Sequence, residues 1–591
     1  MSIFAGVFVR RPGQHIPPRL MEELRVSVSR HPDDIGTLQE LTEDGFFVVK
    51  ADIGALGIPG NFFSSDLTAF VAGDPILQTL PDAMPLPRSE SIQTIACDLV
   101  TGQHHSLRSC RGTFCAVVYE SSAHRVHLIT DKLGIRPIYC WVSPDYIVFA
   151  TALRILEAVS FCKKSINLLG TAETACYGYP LSDRTPYQNI FSLLAGEVVS
   201  VDADGLRRQN YWRWDELPAP APSDILPSER IYRHFQDAVK VRLGEQKTAA
   251  AFLSGGLDSR AIVAALKGAG AKVFTANFGP PGSQDQVLGQ LAADRLGSHH
   301  SYLQQRALVE GDPYSKATVR DWLNSAEYLA HAPQHPCVVW SGDGGSVGLG
   351  HVYLNPDIIA ATRAGDLQGA VDKFMSYNRW GLPVKLLKRH IATALADMVN
   401  QGILSELKSV QPADPGRIFH LFLMLNDQRR HMFNHFENLD LTRIEFEMPF
   451  FDGEFMTEVL REAIDPFLRH VFYLEWLKCF PPGVLETPWQ AYPNHVPCPL
   501  QQPAKLSYQW DSESTLGESK DKSDAALSGA RKLLCESGFS REFLRYGHMR
   551  LFMLLMHFGK AEHAYLLHVP SVIYRYWSRS LAATDSMQEA V

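Results

Sequence analysis

The stretch AAAFLSGGLDSRAIVAALKGAG (residues 249–270) constrains the fold more than any other part of the chain. Small apolar residues run into two glycines and an Asp-Ser pair, and an amphipathic run then ends in Gly-Ala-Gly. This pattern predicts a strand, a tight turn and a helix. Such a turn exposes helix amides that have no intrahelical acceptor, and the helix dipole adds positive potential, so phosphate binds there. Gly255 and Gly256 let the backbone approach an anion closely, and Ser254 and Ser259 add hydroxyl donors. Asp258 repels phosphate unless a Mg²⁺ lies between them. The plainer alternative is a helix cap made by Ser254 or Asp258. The string is not a Walker A loop, which would carry Gly-Lys-Ser/Thr after a longer Gly-rich stretch.

Around this stretch the chain changes character. Its 591 residues exceed one core, so two or more domains are expected. Residues 1–215 are rich in short β-branched and aromatic runs bounded by turn residues, such as GFFVVKADIG, TFCAVVYESS, HRVHLITDK and GEVVSVDADG, which predicts packed antiparallel sheets. DELPAPAPSDILPSER (215–230) is Pro/Ala-rich, and 216–230 is read as a linker. From residue 231 strand and helix patterns alternate, which predicts a doubly wound parallel sheet with helices on both faces. Beyond about residue 355 the pattern is helical, GESKDKSDAALSG (517–529) reads as an exposed loop, and 501–591 as a helical C-terminal extension. The net charge of −8 argues against a nucleic-acid partner. No apolar run approaches the roughly 20 residues that span a bilayer. The opening MSIFAGVFVRRPG places its apolar run before the arginines, the reverse of a secretory signal. Ten cysteines without CxxC pairs fit reduced thiols, and a cytoplasmic location is expected.

Several motifs, in order, resemble the asparagine synthetase family. SGGLDS (254–259) is similar to the pyrophosphate loop of the ATP pyrophosphatases, which split ATP between its α and β phosphates. Residues 112–156 and 190–214 resemble that family's glutaminase domain and its end. TANFGPPGSQDQVLGQLAADRLGSHH (275–300) resembles its second strand and helix, with Ala276 against the adenine. SGDGGSVGLGH (341–351) resembles a further substrate and ATP loop, bringing in Ser341 and Gly342. RIEFEMPFFD (443–452) resembles the helix-plus-Pro-Phe segment that follows. The resemblance covers roughly residues 1–500. It implies an N-terminal-nucleophile (Ntn) hydrolase-like αββα sandwich over 1–215 and a HUP-like ATP-pyrophosphatase domain over 231–500. ATP would sit on Leu253, Ser254, Gly255, Gly256, Leu257, Asp258, Ser259, Ala276, Ser341 and Gly342, with Mg²⁺ on Asp258 and Asp343. The implied reaction adenylates a small-molecule or peptide carboxylate, releases pyrophosphate and passes the acyl group to ammonia or an amine.

The chain also departs from that pattern. Glutamine-hydrolysing members begin Met-Cys-Gly-Ile-Ala-Gly and attack with the freed Cys; here MSIFAG puts Ser2, a poor nucleophile without strong activation, at that position. The family's Asn-Gly-Glu corresponds to AGD (72–74), so Ala72 replaces the glutamine-gripping amide. Ser346 and Val347 stand where the second acidic pair belongs, Glu447 where the family has Arg, and Trp489 of LETPWQAYP (485–493) where it has a lysine. Lys478 and Lys505 are alternative cations, and both read better as surface residues. His431 and His435 share one helical face but lack a third ligand, so a packed helix face is the better reading. An intact loop beside a damaged glutaminase fits an asparagine synthetase-like ligase. It also fits an amide-cyclising enzyme like the lasso-peptide and β-lactam synthetases, or a non-catalytic nucleotide-binding relative. A homo-oligomer is compatible with each.

Overall fold

The computed structural model describes residues 2–585 except 12, 58, 81–82, 305–315, 332–336 and 507–518. The chain divides into two compact units, one formed by 1–159, 193–356 and 411–507, the other by 160–192, 357–410 and 508–591.

The first unit opens with two stacked antiparallel sheets. Its strands are β1 (Ser2–Val9), β2 (Gln39–Glu43), β3 (Phe46–Asp52), β4 (Asn61–Phe63), β5 (Leu67–Gly73), β6 (Phe114–Glu120), β7 (Arg125–Thr130), β8 (Tyr139–Val142), β9 (Tyr146–Ala150), β10 (Glu197–Val201) and β11 (Leu206–Asn210). One sheet runs β8-β9-β1-β3-β2, the other β11-β10-β7-β6-β5-β4. β1 faces β5 across the stack; α1 (Pro18–Ser27) covers β1 and β3, and α2 (Arg88–Val100) covers β4 and β5. The layers are therefore helix, sheet, sheet, helix, as expected. β1, β3 and β6 are buried at nearly every position because each is covered on both faces, so they read as continuous apolar runs rather than alternating ones.

The same unit continues into a parallel sheet of β12 (Thr248–Phe252), β13 (Lys272–Asn277), β14 (His299–Tyr302), β15 (Val338–Trp340) and β16 (Glu445–Glu447), in the order β14-β13-β12-β15-β16. Helix α3 (Pro227–Leu243) precedes it, α4 (Asp258–Gly268) and α5 (Gln284–Leu296) connect its first strands, and α6 (Gly453–Arg461) follows β16. Strand order reverses beside β12. Chain leaving β12 and chain leaving β15 diverge there, opening a crevice at the carboxyl ends of the strands, where open α/β sheets place ligands. The segment 443–452 differs from its expected helical form: Glu445–Glu447 joins the sheet edge as β16, pairing with β15, and Pro449–Phe451 makes one 3₁₀ turn. Pairing with β15 outweighs helical propensity over so short a run.

Asp452 joins the sandwich to the parallel-sheet region. Its carboxylate has no exposed surface and accepts from Arg111 (3.1 Å) and Arg242 (2.6 Å), whose side chains are 6% and 2% exposed. The same carboxylate caps α6 by accepting from the amides of Glu454 and Phe455. Arg111 also reaches Gln78 and Asp237, and Arg136 pairs with Glu445 at 2.6 Å.

The second unit is helical. Leu168–Tyr177, Leu367–Tyr377, Arg389–Lys408, Ser519–Cys535, Tyr546–His557 and His568–Asp585 pack around Leu395, Val399, Leu533, Phe539, Phe552 and Ile573. The stretch expected as a loop at 517–529 is corrected here: residues 517 and 518 lie outside the described residues, and from Ser519 the chain is a helix. Its charged residues lie on the outer face while Ala530 and Leu533 are buried, an amphipathic pattern that its polar composition hides. No described helix is long and apolar enough to cross a membrane.

Removing the Asp452 carboxylate leaves two buried guanidinium groups without their shared partner and uncaps α6. Asp452→Ala is expected to cost about 3–5 kcal/mol of stability, read as a lowered urea midpoint. Asp452→Asn keeps a cap acceptor and should cost less.

Candidate functional site at the carboxyl edge of the parallel sheet

The crevice beside β12 holds a cavity of about 370 Å³. Leu253, Ser254, Ala276, Ser341 and Asp343, all expected from the sequence, line it together. Phe252, Phe278 and Phe446 supply apolar walls, Asp285 a carboxylate, and His431 and His435 line it from helix Arg429–Phe436. The His435 ring stacks flat on Phe446, with centroids 3.8 Å apart and planes 4° apart.

The turn after β12 is built as the sequence implied. Ser259 Oγ accepts from the Ser254 amide at 3.0 Å, and Ser254 Oγ accepts from the Gly256 amide at 3.2 Å. A Cβ on Gly255 would stand 2.8 Å from the Gln284 carbonyl, so only glycine lets the turn lie against α5. The Gly255 amide donates to Asp285 Oδ1 at 3.2 Å, so a carboxylate already tests the turn's affinity for an anion. The amides of Asp258 and Ser259 open α4 and lack intrahelical acceptors.

Asp258 lies behind this turn rather than in the cavity wall. Its Oδ2 accepts from the Ser346 amide (3.1 Å) and Ser346 Oγ (2.7 Å), and its Oδ1 accepts from the Tyr473 hydroxyl. Burial pushes its carboxyl up to about 6, against the pull of these donors; the charge of Asp343 adds to the rise. The turn after β15 presses on it. A Cβ on Gly345 would come within 2.6 Å of the Asp258 carboxyl carbon, and one on Gly342 within 2.8 Å of the Ser259 amide. Asp343 Oδ2 accepts from Ser341 Oγ at 2.6 Å. Mg²⁺ needs a shell of oxygen ligands in near-octahedral order. Each Asp258 oxygen already accepts from a protein donor, the other acid near it, Asp343, accepts from Ser341, and no cluster of three or more His, Cys, Asp or Glu side chains among the described residues could hold a metal. The residues as arranged do not fit a chain-held Mg²⁺.

Other expected positions separate. Trp489 is buried, and the neighbouring Gln490 amide donates to the Gly255 carbonyl at 3.1 Å. Lys478 is 61% exposed on its side chain and pairs with Glu475. Lys505 is exposed on a turn with φ 62°. Glu447 stands 3.6 Å from Arg242, and burial pushes its carboxyl up to about 8 despite that cation. In the sandwich, Ser2 is buried and donates to Asp52 at 2.9 Å; Lys50 stands 3.1 Å from the same carboxylate and donates to Asn61. Ala72 is buried within β5.

Sequence reading missed Arg260, Asp285, Asn277 and Tyr473. Arg260 is fully buried and donates to the carbonyls of Gly255, Thr487 and Pro488, tying the 487–490 segment to the turn. Its place directly after the Asp-Ser pair, inside an apolar helix face, was the available signal. Tyr473 had none, lying 215 residues from Asp258.

Two antiparallel sheets under helices are followed by a parallel α/β sheet with a glycine turn at its switch point. Residues 92–212 match a glutamine amidotransferase domain and residues 230–319 match asparagine synthase. In both matched regions the chain is similar to the asparagine synthetase family. It is 27% identical over 256 residues to a protein of Methanocaldococcus jannaschii named as a glutamine-hydrolysing asparagine synthetase, covering 40% of this chain and 49% of that one. Glutamine-hydrolysing asparagine synthetase 3 of Bacillus subtilis is 25% identical over 186 residues, 31% of this chain and 30% of that one. Carboxyethyl-arginine β-lactam synthase of Streptomyces clavuligerus is 26% identical over 246 residues, 39% of this chain and 44% of that one. The chain thus spans half or less of the length of each of these relatives.

The Glu447 carboxyl keeps its proton in the folded chain between pH 4.5 and 8 but releases it when unfolded. The folded state binds more protons in that window, so stability falls as pH rises through it. Glu447→Gln removes this slope. Relative to the parent, its unfolding free energy from urea titration should be lowest near pH 4.5 and rise toward pH 8 by up to about 1.4 kcal/mol per pH unit.

Proposed function

We propose that this chain is an ATP-dependent carbon–nitrogen ligase that activates a carboxylate as its adenylate and passes the acyl group to an amine. The observation that carries the reading is the turn at 254–259. It packs glycine, two serines and the head of α4 against the wall of a cavity set at the sheet's switch point. The amides of Asp258 and Ser259, which open α4 and lack intrahelical acceptors, hold the outer two phosphates. The cavity walls of Leu253, Ala276 and the three phenylalanines take the nucleoside. With the pyrophosphate held in fixed donors, charge developing on the bridging oxygen meets preorganised dipoles rather than reorganising water.

The amine comes from a source other than glutamine hydrolysed in this chain. Ser2 gives its proton to a carboxylate already engaged by Lys50, and Ala72 replaces the residue that would grip a glutamine amide. Free ammonia or an amine on the substrate itself fills that role. The likeness to a β-lactam synthase, an enzyme named for ring closure, favours the intramolecular amine.

ATP–pyrophosphate exchange, run with aspartate and a panel of other carboxylic acids, tests the reading. Exchange should depend on one acid of the panel and fall at least about 10²-fold in Asp258→Ala, whose turn loses its anchor. Exchange surviving that substitution at full rate rejects the proposal.

A further inference from the structure

The Asp258 carboxylate is closed off from three sides. Ser346 gives one oxygen an amide and a hydroxyl, Tyr473 gives the other a phenol, and the Gly345 backbone leaves no space for a Cβ, still less for a hydrated ion. The Tyr473 contact is built at some cost. Its helix, Val471–Leu477, is entered through Arg469 (φ 59°) and His470 (φ 63°), two non-glycine residues in the left-handed region. Such residues persist only where surrounding packing over-determines them. Here the packing is tight: a Cβ on Gly350 would come 2.3 Å from the His470 ring. The strained entry aims Tyr473 at Asp258. Asp343, the other acid near the turn, is turned onto Ser341.

We propose that Ser346 and Tyr473 are positioning residues that convert Asp258 from a metal ligand into a hydrogen-bonded anchor between the two glycine turns, so that this chain holds no divalent ion of its own and receives one only on a polyphosphate. The clamp does the work that a shared cation would otherwise do: it ties the turn after β15 to the head of α4. The inference deepens the ligase reading and rests on it only for the identity of the polyphosphate.

Equilibrium dialysis of the full chain against Mn²⁺ separates the two. The parent should retain no Mn²⁺ alone and should retain it together with inorganic pyrophosphate. Ser346→Asp places a second carboxylate beside Asp258 and should bind Mn²⁺ without pyrophosphate, roughly tenfold or more tighter than the parent. Stoichiometric Mn²⁺ on the parent without pyrophosphate overturns the proposal, and so does a folded Ser346→Asp chain that gains no ion. Should that variant fail to fold, Tyr473→Phe serves: it frees one Asp258 oxygen of its donor, so a folded Tyr473→Phe chain should bind Mn²⁺ alone more tightly than the parent, and no gain overturns the proposal. If pyrophosphate is not retained with Mn²⁺, the pyrophosphate-loop reading fails while the absence of a chain-held ion stands.

Discussion

The close approach of two glycine turns at the carboxyl edge of the parallel sheet is the constraint on which the site depends. The turn after β12 lies against α5, and the turn after β15 lies against the head of α4. At Gly255, Gly342 and Gly345 a single added methyl would strike backbone or the Asp258 carboxyl. These contacts hold the crevice at the width the cavity needs. They also place Asp258, half-buried, between the turns, where its donors come from inside the protein. An ionised carboxylate in such a place is costly unless hydrogen-bonded. The three donors it receives lower that cost, yet the carboxyl still holds its proton up to about pH 6.

A second constraint works at the seam within the first unit. Arg111, Arg242, Arg136, Asp452, Glu445 and Glu447 bring three cations and three acids together with almost no water. Removing one member of such a group is far more damaging than its net contribution suggests, because the partners remain buried. Glu447 is the member left over. Arg242 already serves Asp452 at 2.6 Å, so Glu447, at 3.6 Å, is held as the acid rather than the carboxylate. The position the family resemblance assigns to an arginine therefore carries a group that is neutral near physiological pH. This avoids a further buried cation beside Arg136 and Arg242.

What could be read in the sequence was local. Gly255, Gly256 and Asp258 announce a strand-turn-helix because backbone chemistry at a tight turn permits few residues. The apolar runs of β3, β6, β7 and β9 announce packed sheets for the same reason. What could not be read was long-range. Tyr473 reaches Asp258 across 215 residues and Asp452 reaches Arg111 across 341, with no periodicity to mark either pairing. Nor does composition reveal that residues 160–192 group with 357–410 and 508–591 in one compact unit. The helix at 519 was hidden because Asp521, Lys522 and Asp524, all exposed, crowd its start. The strand at Glu445–Glu447 was hidden because three residues carry no period.

Residues 92–212 match an amidotransferase domain, and Ser2 sits in the neighbouring sheet of the same sandwich. A hydroxyl becomes a competent nucleophile when a neighbouring base of suitable strength takes its proton. Ser2 instead donates to Asp52, a carboxylate paired with the buried Lys50 ammonium and therefore a weak base. Lys50 is the only group of this cluster shifted toward the useful range, pushed down by burial to about 8, and it is turned to Asn61 and Asp52 rather than to Ser2. The hydroxyl, the acid and the amine meet across β1 and β3. The register Ser2↔Asp52 fixes that wiring in the backbone ladder itself, so restoring a nucleophile at position 2 alone would leave it facing an acid with no reason to accept its proton.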